Sequence, residues 1–316
     1  MVLNNKQIKD LRSGDRVEIK LMIFQVSKGV TNKGAPYLSF QLQDSTGDMD
    51  AKYWNVSEPE LDKYKAGMIC KFKADILLHN NQLQIRIAAI EVLDQNTEDI
   101  SNYVRSSTFS KQELKYKVQT YIDSLKNPVY RKVVKGLLDE CEDDFYVYPA
   151  ASKNHHNFVG GLATHVLGML ELGKYMCSQY PLLDEDLLIS GILMHDIGKI
   201  VELSGPVIIE YTTEGKLLGH ISIMQAKIYE IARRLELDQT EEVTLLRHMV
   251  LSHHGAYEFG SPVLPMIPEA EILNMVDNID AKMNTMEKAL DRVEPGTFTP
   301  RIFAMENRQL YKAKNK

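Results

Sequence analysis

The sequence predicts two domains of different class, an N-terminal all-β barrel followed by a mainly α-helical domain. Three observations carry this reading: β-rich runs punctuated by turn residues up to about residue 95, apolar residues recurring three and four apart beyond about residue 110, and a polar stretch without period between them. At 316 residues and 44% hydrophobic content the chain is long enough to bury two cores.

The β-rich runs are VEIKLMIFQV, PYLSFQLQD, GDMDAKYW, GMICKFKADIL and QLQIRIAAIEV. In the second, Leu38, Phe40 and Leu42 alternate with Tyr37, Ser39 and Gln41, as a half-buried strand requires. Turn signals Asn32-Lys33-Gly34 and Ser45-Thr46-Gly47 separate the runs, and a short helix is expected over Glu60 to Lys65. Three strands, a helix and two strands over residues 1–95 resemble a five-stranded OB barrel of the tRNA-anticodon type, a nucleic-acid-binding module. Its open face would present Tyr37, Lys52 and Trp54, with Lys28 and Lys33 in a nearby loop. Aromatic planes stack on bases and lysines neutralise phosphate, which suits single strands. The alternative is that Tyr37 and Trp54 fill or rim the barrel core.

Polar residues from about Gln95 to Ser110 mark a linker, placed at 96–115, ahead of a helical domain over 116–316. Leu162, Val166, Met169, Leu170 and Gly173 share one helical face; so do Leu187, Leu188, Gly191 and Ile192, and Ile221, Met224, Ile228 and Ile231. The stretch Val207 to Thr212 is β-branched and is expected to form a small hairpin. The basic end, Lys312 to Lys316, reads as a solvated tail.

Composition narrows the partners. A formal net charge of -6 excludes wholesale attraction to nucleic acid or an anionic membrane, so a polyanion must bind at a local patch. No run is apolar enough for a signal peptide or a membrane span, which predicts a cytoplasmic protein without a membrane partner. Cys70, Cys141 and Cys177 are too few and too scattered for a disulfide framework or a thiolate zinc site, and read as reduced filler.

All the histidines except His79 lie in the helical domain, most of them in apolar phrases: GGLATHVLGML, ILMHDIGK, LLGHISIMQA and LSHHGAYEF, followed by ILNMVDNIDAK. These offer His165, His195, Asp196, His220, His253, His254 and Asp277. A histidine or carboxylate in a dry interior must be hydrogen-bonded, neutralised or bound to a cation. Seven candidates exceed one tetrahedral site, so a two-metal centre is expected. Asp196 would bridge two divalent ions, His165, His195 and Asp277 completing one shell and His220, His253 and His254 the other. Mixed imidazole and carboxylate ligands favour manganese, iron, cobalt or zinc over magnesium or calcium. Such a pair would activate a hydroxide for attack on a phosphodiester. No nucleophile elbow, phosphate-cradling loop or dinucleotide fingerprint competes with this.

The ordered series H, HD, H, HH and D, with HDIGK in the extended HD-x-G-K form, resembles the HD superfamily of metal-dependent phosphohydrolases. That resemblance implies that Lys199, like Asp196, is catalytic and contacts substrate phosphate; the alternative is a helix-end cation. An OB module joined to an HD domain, with NHHNFVGGLATH ahead of the first ligand, resembles the YhaM family of 3′-to-5′ exoribonucleases. The resemblance implies a manganese-dependent, homo-oligomeric enzyme acting on single-stranded RNA, with DNA as a second substrate. The sequence departs from the cyclic-dinucleotide branch of the superfamily, since HHGAYEFGSP only approximates its glycine-tyrosine-proline phrase and Gly161 stands where that branch places a glutamate. His155 and His156 precede the first ligand helix and are read either as substrate contacts, His156 in particular, or as loop and cap residues. His248 is read as structural. Two rivals remain: an HD nucleotidase on small nucleotides, which would leave the β module without a task, and a non-catalytic OB-fold DNA-binding replication accessory factor, against which the complete ligand series argues.

Overall fold

The computed structural model describes residues 3–4, 6–80, 82–151 and 156–315. The chain divides into two compact units, residues 1–106 with 286–316, and residues 107–285. Residues 286–316 therefore group with the N-terminal unit, not with the helical domain where the sequence put them.

The first unit is a closed barrel. Its strands are β1 (Leu3–Asn4), β2 (Arg16–Val30), β3 (Pro36–Asp44), β4 (Gly47–Trp54), β5 (Ile69–His79) and β6 (Gln82–Val92). The order is β1-β2-β3-β4-β6-β5, closed by pairing of β2 with β5. The pairing of β4 with β6 is parallel and the other barrel pairings are antiparallel, so five strands make an OB-like barrel while β1 adds at an edge. Closure depends on β2, in which Arg16 to Met22 pair with β5 and Met22 to Val30 pair with β3, with a register shift in the second pairing between Ile23 and Gln25. The alternation in β3 holds, with Leu38, Phe40 and Leu42 fully buried beside Leu21, Ile23, Phe72, Ile76 and Ile85. Each such side chain contributes about 1.5–3 kcal/mol of burial. In the β3–β4 turn, Asp44 Oδ1 accepts from the backbone N–H groups of Thr46 (2.7 Å) and Gly47 (3.2 Å). The helix expected over Glu60 to Lys65 is only a 3-10 turn, Glu58–Glu60. Its stretch offers two apolar residues, too few to pack a helical face: Tyr64 is buried in the core and Leu61 packs against its edge.

Period two also fixes an outer face. On β4, Met49 and Ala51 point inward, leaving Asp48, Asp50, Lys52 and Trp54 outside. Asp48, its side chain only 6% exposed, is bound by Arg292, by Arg105 Nη1 at 3.2 Å, by Lys288 Nζ at 3.5 Å and by Gln41 Nε2 at 2.8 Å. Burial opposes ionisation, yet Arg292, Lys288 and Arg105 outweigh it and hold this carboxyl well below the usual range. This ion cluster brings residues 286–316 into the first unit. Of the expected solvated tail only Lys312 is tied in, its N–H donating to the Thr297 carbonyl at 2.9 Å beside the bridges of Phe298 with Tyr311 and Ile302 with Arg308, while residues 313–315 stand exposed. Local sequence could not show that these residues join the first unit, because the helix leading into them is tied through Arg292 to Asp48, 244 residues away.

The second unit is helical: α1 (Lys111–Ser124), α2 (Pro128–Phe145), α3 (Gly161–Gln179), α4 (Glu185–Met194), α5 (Lys199–Glu202), α6 (Thr213–Arg234), α7 (Glu241–Ser252) and α8 (Pro268–Asp291), the last grouping with the first unit from Met286 onward. The linker placed at 96–115 holds a 3-10 turn, Ile100–Asn102, and the start of α1, which Ser110 and Glu113 cap reciprocally. Asn127, Asp184, Thr212 and Thr240 cap α2, α4, α6 and α7 with side-chain oxygens. The three apolar faces read from the sequence converge in one core, including Leu162, Val166, Leu188, Ile192, Met224 and Ile228. The hairpin expected at Val207 to Thr212 reduces to one bridge, Leu203 to Tyr211. Cys70, Cys141 and Cys177 are free thiols, Cys70 fully buried. No described helix is long and apolar enough to cross a membrane.

Candidate metal centre

Helix ends set the centre. His195 and His253 cap the C-termini of α4 and α7, and each donates Nδ1–H to the carbonyl three residues back, Ile192 at 2.9 Å and Val250 at 2.7 Å. Carbonyls that the helix leaves unpaired thereby fix the imidazole tautomer and turn both Nε2 lone pairs inward. Three further anchors act alike. His254 donates Nδ1–H to the Phe259 carbonyl at 2.7 Å, His220 to Glu202 at 3.1 Å, and His165 to Asp280 at 2.7 Å. Five imidazoles thus share one orientation rule, the arrangement expected of metal-bound histidines.

Two glycines make the convergence possible. In HDIGK, a side chain at Gly198 would overlap the His220 carbonyl, so only glycine lets that segment lie against α6. Gly219 sits at φ 71 and ψ 153, breaking α6 immediately before His220. The break frees the His220 N–H to donate to Glu202 Oε1 at 3.0 Å.

The structure gathers all seven expected ligands. His165, His195 and Asp277 offer ligand atoms within 4.8 Å of one another, and so do His220, His253 and His254. Asp196 lies between the trios. Its Oδ2 is 3.3 Å from His195 Nε2 and 3.9 Å from His165 Nε2, and its Oδ1 is 3.5 Å from His220 Nε2 and 3.8 Å from His253 Nε2. Among the described residues, Nε2 of His195, His220 and His253 and Oδ1 of Asp196 are buried and meet no hydrogen-bond partner. Four such atoms facing one space cost several kcal/mol unless a cation takes them. The donor set therefore fits divalent ions.

The electrostatics agree. Burial opposes charge on Asp196, but Lys199 and the imidazoles around it outweigh that and keep its carboxyl well below the usual range. Burial, then His254 and His195, hold His253 neutral far below the ordinary histidine value; burial and His220 lower His254. Burial would lower His165 too, yet Asp277 and Asp280 carry it up to about 9, so positive charge is wanted between those carboxylates.

Other expected residues stand differently. Lys199 opens the four-residue α5 with its Nζ 2.6 Å from Asp196 Oδ2 and its side chain 12% exposed, so it is a cation at a helix end that is also the ion-pair partner of the central carboxylate. His156, read as a substrate contact, is buried: its Nε2 lies 2.7 Å from Asp280 Oδ2 and its N–H donates to Asn284. His155 falls outside the described residues. His248 Nε2 accepts the Met266 N–H at 3.0 Å, a structural role. In the first unit, Tyr37 and Trp54 stand on the outer face and not in the core, ring centroids 4.8 Å apart, with Lys52 Nζ 5.0 Å from the Tyr37 centroid. Lys28 is paired with Asp62, and Lys33 lies on the exposed turn before β3.

Sequence reasoning missed Glu202 and Asp280, which orient His220 and His165. Asp280 lies three residues beyond Asp277 on α8, hence on the same helical face, and that spacing was the available signal. Asp280→Asn is expected to weaken metal affinity by about 10- to 100-fold while the helical content stays unchanged. Metal titration calorimetry with far-UV dichroism checks this, and an unaltered affinity refutes the anchoring role.

Residues 162–282 match the HD domain family model. HD domains mark a superfamily of metal-dependent hydrolases. Among solved structures, the chain is similar to a domain of replication protein A from Methanococcus maripaludis, at 21% identity over 29% of this chain and 97% of that one, TM-score 0.25. It is also similar to priB from Ralstonia solanacearum, at 13% identity over 25% of this chain and 97% of that one, TM-score 0.22.

Proposed function

We propose that this protein is a metal-dependent phosphodiesterase that shortens single-stranded RNA from its 3′ end, with manganese the favoured ion. The observation that carries the reading is the convergence of buried, partnerless Nε2 atoms on the two oxygens of Asp196. His165, His195 and Asp277 would hold one ion, His220, His253 and His254 a second, and Asp196 would face both. Divalent ions held by these residues would supply a more acidic water and positive charge for the phosphoryl oxygens. The chain's own residues do the rest. The Nδ1 anchors keep the imidazoles rigid, burial excludes bulk water, and Lys199 places a fixed positive charge beside the central carboxylate.

The barrel supports a strand as substrate. Its outer face offers a pair of rings and a lysine, surface that a mononucleotide would not need. The 3′-to-5′ direction and the preference for RNA rest on the resemblance to the YhaM exoribonucleases. A ladder assay on 5′- and 3′-labelled single-stranded RNA and DNA, with and without manganese, tests the whole reading. Stepwise shortening from the 3′ end, only with metal, is the expected result. Consumption of mononucleotides with intact oligonucleotides would replace it by the nucleotidase reading.

A further inference from the structure

Residues 296–316 carry Arg301, Arg308, Lys312, Lys314 and Lys316 against one carboxylate, Glu306, in a chain whose formal net charge is -6. Residues 296–315 form an arm of the first unit. Thr299 and Met305 are buried on its inner side; the Leu310 N–H donates to Thr299 Oγ1 at 3.0 Å, and Lys312 Nζ donates to the Val293 carbonyl at 2.9 Å. The outer side holds rings in solvent. Phe298 and Tyr311 are each about half exposed with centroids 5.1 Å apart, and Phe303 is 87% exposed. Burying Met305 while leaving three rings outside is a poor choice for packing alone.

The root of the arm is placed too. Lys288 and Arg292 bind Asp48 at the start of β4, whereas Trp54 ends that strand, paired with Tyr37. Asp48, Lys52 and Trp54 share the outer face, so about 20 Å separate the cation cluster from the ring pair at ~3.3 Å per residue. We infer that the arm is a second single-strand contact, continuing a track that begins at Tyr37, Lys52 and Trp54, with its rings stacking on bases and its cations meeting phosphates. The inference rests on the proposed nucleic-acid substrate and adds to it where a longer strand is held.

The test uses the full chain carrying Phe303→Ala, Tyr311→Ala and Arg301→Gln, and oligouridylates of about 6 nucleotides, within the reach of one barrel's site, and about 20, longer than it. Binding is read by fluorescence anisotropy over a salt series without added divalent ion. Affinity for the long strand is expected to fall about tenfold while the short one is unaffected. The salt dependence should become shallower by roughly 0.7 for the removed cation. Unchanged affinity for the long strand, or an equal loss on both lengths, overturns the role of the arm. If the unaltered protein binds neither strand, the proposed substrate class falls and the arm with it. Tight binding of the long strand by wild type and variant alike removes the arm alone.

Discussion

Asp196→Asn is expected to lower hydrolysis of any phosphodiester by about a thousandfold or more, since several kcal/mol of charge stabilisation pass through that carboxylate. Its two oxygens face four imidazole nitrogens in two directions, and an amide offers one neutral acceptor in place of both. The substitution has a second expected effect. Lys199, its side chain 12% exposed, has Asp196 as its closest anion, so removing the charge leaves a largely desolvated cation and costs up to about 3 kcal/mol of stability. Adding Lys199→Met should restore the melting temperature without restoring turnover. Rates on bis(p-nitrophenyl) phosphate and thermal melts of both variants separate the effects. Appreciable turnover by the single variant would remove Asp196 from the chemistry.

Stripping divalent ions is expected to abolish hydrolysis, and returning manganese to restore it. Because the ions would bind the folded state alone, loading should raise stability by about 4 kcal/mol when free metal exceeds its dissociation constant a thousandfold. The two trios should respond differently to pH. His253 and His254 are held neutral, so an ion at their trio displaces no proton from them near neutrality. His165 binds a proton up to about pH 9, so an ion at its trio must displace that proton and binds more weakly as pH falls below 9. Metal titrations at pH 7 and pH 9.5 should show one affinity nearly constant and the other rising with pH. Two affinities that move together contradict the separate environments, and a stripped protein that still cleaves contradicts the reaction class.

Much of this was legible in the sequence where the signal is local. Alternation at Leu38, Phe40 and Leu42 found β3 to the residue, and helical spacing found the faces of α3, α4 and α6. The ligand histidines were conspicuous because imidazoles among leucines and isoleucines need a reason. What escaped was defined by distant partners. Asp280 and Glu202 read as ordinary helix carboxylates until the imidazoles of His165 and His220 are placed beside them. His156 was read as a substrate contact because the carboxylate that holds it, Asp280, lies 124 positions away. Over Glu60 to Lys65 and Val207 to Thr212 the residue types matched an element that packing did not support.

Asp48 gives the first unit an unusual history during synthesis. The barrel strands are translated early, but the guanidinium that most strongly offsets this carboxylate is 244 residues downstream. At ribosomal speeds of about 5–20 residues per second, the nascent barrel waits roughly 10 to 50 seconds with an acidic residue poorly compensated on its wall. Until Arg292 emerges, Gln41 and Arg105 are the partners on hand for that carboxylate. A fragment cut after the last barrel strand would lack Arg105, Lys288 and Arg292, every cation that meets Asp48 among the described residues.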